Sequence, residues 1–219
     1  GNTELGFVST SGNTETETLN AKVKVGKETQ GWKHEATLAA LGTSDNDGTT
    51  AERYSAGFKS DKKINDRSYW YGLLAYDDDR FSSFDYQASA GVGYGYKVIK
   101  SEGMNLDFEI GPGYRLNAFD EVRAADGSLI TDNYEEEEAT LRVGEKFDWQ
   151  FSDSAKLEQY LVALGGDKNV TTTAGLFVTS ALAESLSLKV GAEYKHDKVV
   201  SAGFDSVDTV TSATVVYSF

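Results

Sequence analysis

Charged side chains recur at every second position along much of this 219-residue chain, and that spacing is where its chemistry can lie. Lys97, Asp107, Glu109, Arg115, Arg142, Lys146, Asp148, Lys189, Glu193 and Lys195 all alternate with apolar or small neighbours. In an extended chain successive side chains point to opposite faces, so these groups share one polar face. Lys22, Lys24, Lys33, Arg53 and Lys59 join the basic set; Glu35, Asp61, Asp85, Glu138, Asp197 and Asp208 join the acidic one. The face thus carries eleven bases and ten acids, against 21 Lys+Arg and 35 Asp+Glu in the whole chain, so the excess acid lies in the connections. Such a face has two uses. Its charges can pair and stiffen an enclosed space, or they can ring a water-filled path and choose solutes.

Other constellations are weaker. Gly91, Gly93, Gly95, Gly111 and Gly113 fall on the same polar face, marking either a sharply curved wall or room for a ligand or a path. They are no phosphate loop, since no helix follows them. The segment 118–137 holds Asp120, Glu121, Asp126, Asp132, Glu135, Glu136 and Glu137, with Asp77, Asp78 and Asp79 expected on the same side. These are a solvated, mutually repelling surface or a loose trap for divalent cations, without EF-hand spacing. Catalysis finds little support. His34 and His196, the two histidines, fall on or near apolar rims with no serine singled out beside them. Asp107 and Glu109 lie near Arg115, which favours pairing over acid–base work. No Cys is present and no His spacing suits a metal, so no cofactor is expected. A net charge of −14 argues against nucleic acid as a partner.

The elements that must position these groups are strands. Met104, Leu106, Phe108, Ile110, Pro112, Tyr114 and Leu116 make one face; Asn105, Asp107, Glu109, Gly111, Gly113 and Arg115 make the other. The same period of two runs through 86–98, 186–194 and 207–219, and more weakly through 3–10, 18–27, 32–42, 51–61, 138–151 and 170–180. Segments 67–76 and 155–165 are apolar on both faces, which leaves their orientation open. The pattern predicts twelve strands in one domain over 1–219, joined alternately by tight turns and longer polar loops. That is an antiparallel up-and-down meander with both termini on the short-turn side.

Alternation alone suits a soluble sandwich as well. Four features favour an apolar exterior. Twelve strands enclose a space too wide for one layer of apolar side chains to fill. Charges of both signs stand in mid-strand beside glycines. Aromatics gather near strand ends, with Trp32, Trp149, Phe151 and Tyr217 at one rim and Tyr54, Phe84, Tyr86, Tyr114, Phe119 and Tyr194 at the other. Turns are short on one side and loops long on the other, as in outer-membrane barrels. The expected fold is a twelve-stranded transmembrane β-barrel.

The closing Tyr217-Ser218-Phe219 resembles the aromatic signal that such barrels present to the barrel-assembly machinery. The run from Gly6 to Thr14, the triplet Asp79-Arg80-Phe81, and Gly91-Val92-Gly93-Tyr94-Gly95-Tyr96 are similar to the YdiY-like family, described as salt-induced outer-membrane proteins of unknown function. The resemblance covers nearly the whole chain. It implies a Gram-negative outer membrane, with a signal peptide removed or not included, and it brings no activity or catalytic residue. The expectation is a monomer in outer-membrane lipid and lipopolysaccharide, not an enzyme. Its function is either a narrow passive channel for ions or small solutes, or a closed structural barrel whose acidic loops or rims bind a partner, lipopolysaccharide or divalent cations.

Overall fold

In the computed structural model every long element is a strand, and the structure describes residues 2–10, 16–45, 48–79, 84–119, 121–123, 129–198 and 206–219. The strands are β1 (Asn2–Thr10), β2 (Thr16–Glu28), β3 (Trp32–Asp45), β4 (Gly48–Lys63), β5 (Ser68–Asp79), β6 (Tyr86–Ser101) and β7 (Met104–Phe119). There follow β8 (Val122–Arg123), β9 (Leu129–Thr131), β10 (Tyr134–Ser152), β11 (Ala155–Gly166), β12 (Val170–Ala183), β13 (Leu186–Asp197) and β14 (Val207–Ser218). Neighbours run β1-β14-β13-β12-β11-β10-β7-β6-β5-β4-β3-β2, and β2 returns to β1, which closes an antiparallel barrel. Closure leaves no row of unpaired backbone groups at a sheet edge. Strands β8 and β9 form a separate two-stranded hairpin.

The outside is apolar. Leu38, Val92, Ile110 and Leu176 are each more than half exposed, and Leu19, Leu74, Leu141 and Val190 extend the same belt. The buried set is mostly polar instead: Arg115, Asn117, Glu138, Thr140 and Thr214 all face inward. A continuous apolar surface of this extent is stable only against hydrocarbon or another apolar surface. Trp149 and Phe151 pack together at the short-turn rim with centroids 5.6 Å apart, and Tyr217 and Phe219 stack there at 6.4 Å.

The two segments that are apolar on both faces now have an orientation. In β5, Trp70, Leu74 and Tyr76 point out, while Tyr69 and Tyr71 are buried in the lumen. In β11, Leu161 points out, and Tyr160 and Val162 line the interior. Their lumen faces are apolar because ring faces are needed there, against glycines on the next strand.

One loop boundary is corrected. The segment 118–137 is not a single loop: β7 continues to Phe119, the β8–β9 hairpin follows, and β10 begins at Tyr134. Likewise Asp77, Asp78 and Asp79 end strand β5. Backbone pairing continues past the apolar belt, where both faces meet water and the alternating pattern fades.

Candidate functional site

The candidate site is the lumen. Its layout begins with a repeated cross-strand pair, an aromatic opposite a glycine. Register places Tyr69 against Gly95, Tyr71 against Gly93, Tyr160 against Gly175 and Phe177 against Gly191. A Cβ built on Gly93, Gly95 or Gly175 would overlap the facing tyrosine side chain, and at Gly93 the Ile110 carbonyl as well, so each glycine seats a ring against the wall. At Gly111 a Cβ would instead strike the Val92 carbonyl and the Gly93 Cα, and at Gly113 the Ala90 carbonyl. Backbone is that close only where the wall bends sharply between β6 and β7. The glycines therefore serve a curved wall and seated rings, and the rings occupy the room that a path beside Gly93 and Gly95 would need.

Those rings carry the central ion cluster. Glu109 accepts from Lys59 and, at 2.8 Å, from the Arg142 guanidinium and from the Tyr69 hydroxyl. Lys59 also pairs with Asp61 at 3.1 Å. Lys59 Nζ lies 5.5 Å from the Tyr71 ring centroid, and Arg142 Cζ lies 5.5 Å from it too. Cations over a ring face gain electrostatic attraction in addition to their carboxylate partner. Lys59 on β4 reaches Glu109 on β7 across the intervening β5 and β6, so the cluster bridges one side of the lumen.

A second network lies toward the long-loop end. Arg115 Nε donates to Glu138 Oε1 at 2.9 Å, and its other nitrogens donate to Thr171 Oγ1 and to the Asn169 carbonyl, each at 2.9 Å. Glu138 Oε2 accepts from the Lys168 backbone N–H at 2.9 Å. Asn169 Nδ2 donates to Asp197, which Lys195 also faces at 3.6 Å. Both members of the Arg115–Glu138 pair are buried, and nearly every polar atom there has a partner. A buried pair survives only on those terms.

Other expected lumen residues also face inward, while Asp85 does not. Lys146 pairs with Asp148 at 2.9 Å. Glu193 accepts from the Tyr160 hydroxyl, and Lys189 Nζ lies 4.7 Å above the Phe177 ring. Asp107 stands in register between Lys97 and Lys146, with a buried Oδ1 that no described residue meets. Asp85 precedes β6 and is exposed, and the Asp208 side chain lies outside the described residues.

Voids thread between these groups. A cavity of about 350 Å³ at the short-turn mouth shares Lys33, Asp61, Tyr69, Lys97 and Asp107 with one of about 400 Å³ in the lower lumen. The latter shares Arg142, Tyr160 and Val162 with a third of about 280 Å³. That in turn shares Arg53 and Thr173 with a fourth of about 300 Å³ against β2, β3 and β14.

Among the described residues the acidic segment does not form a cluster. Glu135 accepts from Tyr86, Glu137 from Tyr114, and Glu136 faces Lys168 at 3.5 Å. Glu121 and Asp132 are exposed, and Asp120 and Asp126 lie outside the described residues. Among the described residues no three acids or histidines form a group that could hold a metal ion. His34, contrary to the sequence expectation, does have a serine beside it: Ser60 Oγ lies 2.9 Å from Nδ1. Both sit on the outer wall, where His34 stacks between Trp32 and Phe58, so the pair belongs to the rim.

The model of one family, described as "Protein of unknown function, DUF481", matches residues 3–219. The chain belongs to the DUF481 family. A curated relative, the "Uncharacterized protein YdiY" of Escherichia coli (strain K12), is 28% identical over 195 residues, covering 87% of this chain and 71% of that one. Among solved structures, a NanC porin has a TM-score of 0.57 at 11% identity, covering 99% of this chain and 98% of its own. The translocator domain of the autotransporter NalP from Neisseria meningitidis has a TM-score of 0.56 at 18% identity, covering 100% and 86%. Identities this low establish a shared barrel fold. They leave what this DUF481 member carries to its own lumen.

The sequence signal for the aromatic–glycine pairs was present. Two doubly apolar strands each lie beside a strand with glycine on its polar face, and register alone converts that into seated rings.

Proposed function

We propose that this DUF481 member is a twelve-stranded barrel of the bacterial outer membrane that works as a narrow passive channel for ions or small solutes. One observation carries the reading: the run of lumen cavities, each sharing lining residues with the next, from the short-turn mouth into the upper lumen. The apolar belt supports the membrane placement, and the antiparallel ring order supports the strand number. Paired charges along the cavities suit small, hydrated solutes over bulky ones, since each passing ion meets both signs at close range. The NanC barrel, similar in fold, is a porin, which agrees with this reading.

A closed structural barrel is the second reading, and the buried Arg115–Glu138 network at the long-loop end favours it. Single-channel recording of purified protein in a planar bilayer decides between them. Discrete current steps from folded protein are expected. A folded preparation, verified by heat-modifiable gel mobility, that gives no steps would leave the closed barrel.

A further inference from the structure

Among the described residues, one polar contact of the outer wall lies well inside the apolar belt. Gln159 Nε2 donates to Glu145 Oε2 at 2.8 Å, on the face that also presents Leu141, Val143, Trp149 and Leu161. The pair bridges β10 and β11 and is framed by Leu106, Phe108, Phe147, Leu161, Ala174 and Leu176. Glu145 is four residues from Trp149 at one rim and six from Ala139, which pairs with Tyr114 at the other. With about 3.3 Å per residue and a tilt of about 40°, that places the carboxyl about 10 Å inside the belt. A carboxyl and an amide facing hydrocarbon keep unmet hydrogen-bonding capacity at a cost, and ionisable groups at such depth mark interaction or transport sites. Glu145 borders the lower-lumen cavity, but on the alternating strands Arg142, Lys146 and Tyr160 hold the inward side-chain positions.

We infer that the β10–β11 wall is a lateral interface for a second copy of this chain, joined through Glu145 and Gln159 across a two-fold axis. The argument is complementarity. One amide hydrogen of Gln159 goes to Glu145, and among the described residues its second N–H and Glu145 Oε1 meet no partner. A two-fold axis through the pair brings each free amide hydrogen to the other copy's free carboxyl oxygen, giving four hydrogen bonds where two separate barrels have two. An isologous contact of this kind uses one patch on both subunits and closes at the dimer. The apolar frame seals those bonds from lipid, and polar contacts of this kind join membrane segments that gain nothing from apolar burial. This interface rests on the membrane placement and is independent of whether the lumen conducts. It replaces the monomer expected from the sequence.

The chain has no cysteine, which makes the test clean. Leu161→Cys puts a thiol beside the axis, and Leu38→Cys puts one on the distant β3 wall. Oxidation in isolated membranes should give disulfide-linked dimers from Leu161→Cys and none from Leu38→Cys. Adding Glu145→Leu and Gln159→Leu to the Leu161→Cys background should lower dimer yield at least tenfold, while heat-modifiable mobility shows each barrel folded. The inference is overturned if folded Leu161→Cys gives no dimer, if its dimers persist without Glu145 and Gln159, or if the thiol links to a different polypeptide. Recovery outside the membrane fraction would overturn the placement and the interface together.

Discussion

The ring of Tyr69 lies on the Cα of Gly95, its register partner on β6, and its hydroxyl donates to Glu109 at 2.8 Å. One pair thus sets both wall and charge cluster. Gly95→Ala should overpack the contact and cost about 1–3 kcal/mol. Adding Tyr69→Ala should relieve it, so that the double variant is more stable than the two losses summed, by about 0.5–3 kcal/mol. Gly111→Ala should gain nothing from any side-chain truncation, because backbone blocks it. Urea unfolding in lipid vesicles measures both cases, and an additive Gly95/Tyr69 pair would sink the seat argument.

The network at the long-loop end predicts a different signature. Glu138→Ala strands the Arg115 guanidinium and removes the acceptor for the Lys168 backbone N–H. Breaking a buried pair from one side costs about 3–5 kcal/mol. Hydrogen exchange should speed up at Lys168 and leave amides in β2 unchanged. Uniform acceleration across the barrel would mean that the network holds the whole fold and not that turn.

Face assignment gives a third contrast. Ile110 is more than half exposed in the belt, next to lumen-facing Glu109. Ile110→Arg should cost about 2–4 kcal/mol at mid-depth in a bilayer. Thr173→Asn, on a cavity wall, should fold as well as the parent. The comparison is folded yield by heat-modifiable mobility, and a tolerated Ile110→Arg would deny lipid contact at that face.

Where the lumen is polar, sequence alternation read it correctly: Glu109 and Arg142 point inward as their spacing required. It failed where the lumen is aromatic. Tyr69, Tyr71 and Tyr160 give β5 and β11 two apolar faces, and the rule that polar means inside then has nothing to act on. It failed again at Glu137, a strand residue beyond the belt, where both faces are wet and no period survives. Glu145 was hidden for the opposite reason. One carboxyl on the apolar face of a weakly patterned segment reads as noise until register sets Gln159 beside it.

The ion cluster supplies the sharpest functional prediction. Glu109 is the shared acceptor of Lys59 and Arg142, so Glu109→Gln leaves two cations facing the cavity with only Asp61 near Lys59. A unit charge about 4 Å from a passing ion in water is worth about 1 kcal/mol, or about fivefold in relative permeability. Reversal potentials under a salt gradient should therefore move toward anions in Glu109→Gln and toward cations in Arg142→Gln. The two variants differ in the sign of the charge removed, so a stability effect common to both cannot mimic opposite shifts. Raising the salt from 0.1 to 1 M should shrink both, because the screening length falls from about 10 Å to about 3 Å. Unchanged reversal potentials in conducting channels of both variants would place the solute path away from Glu109, along the cavity against β2, β3 and β14.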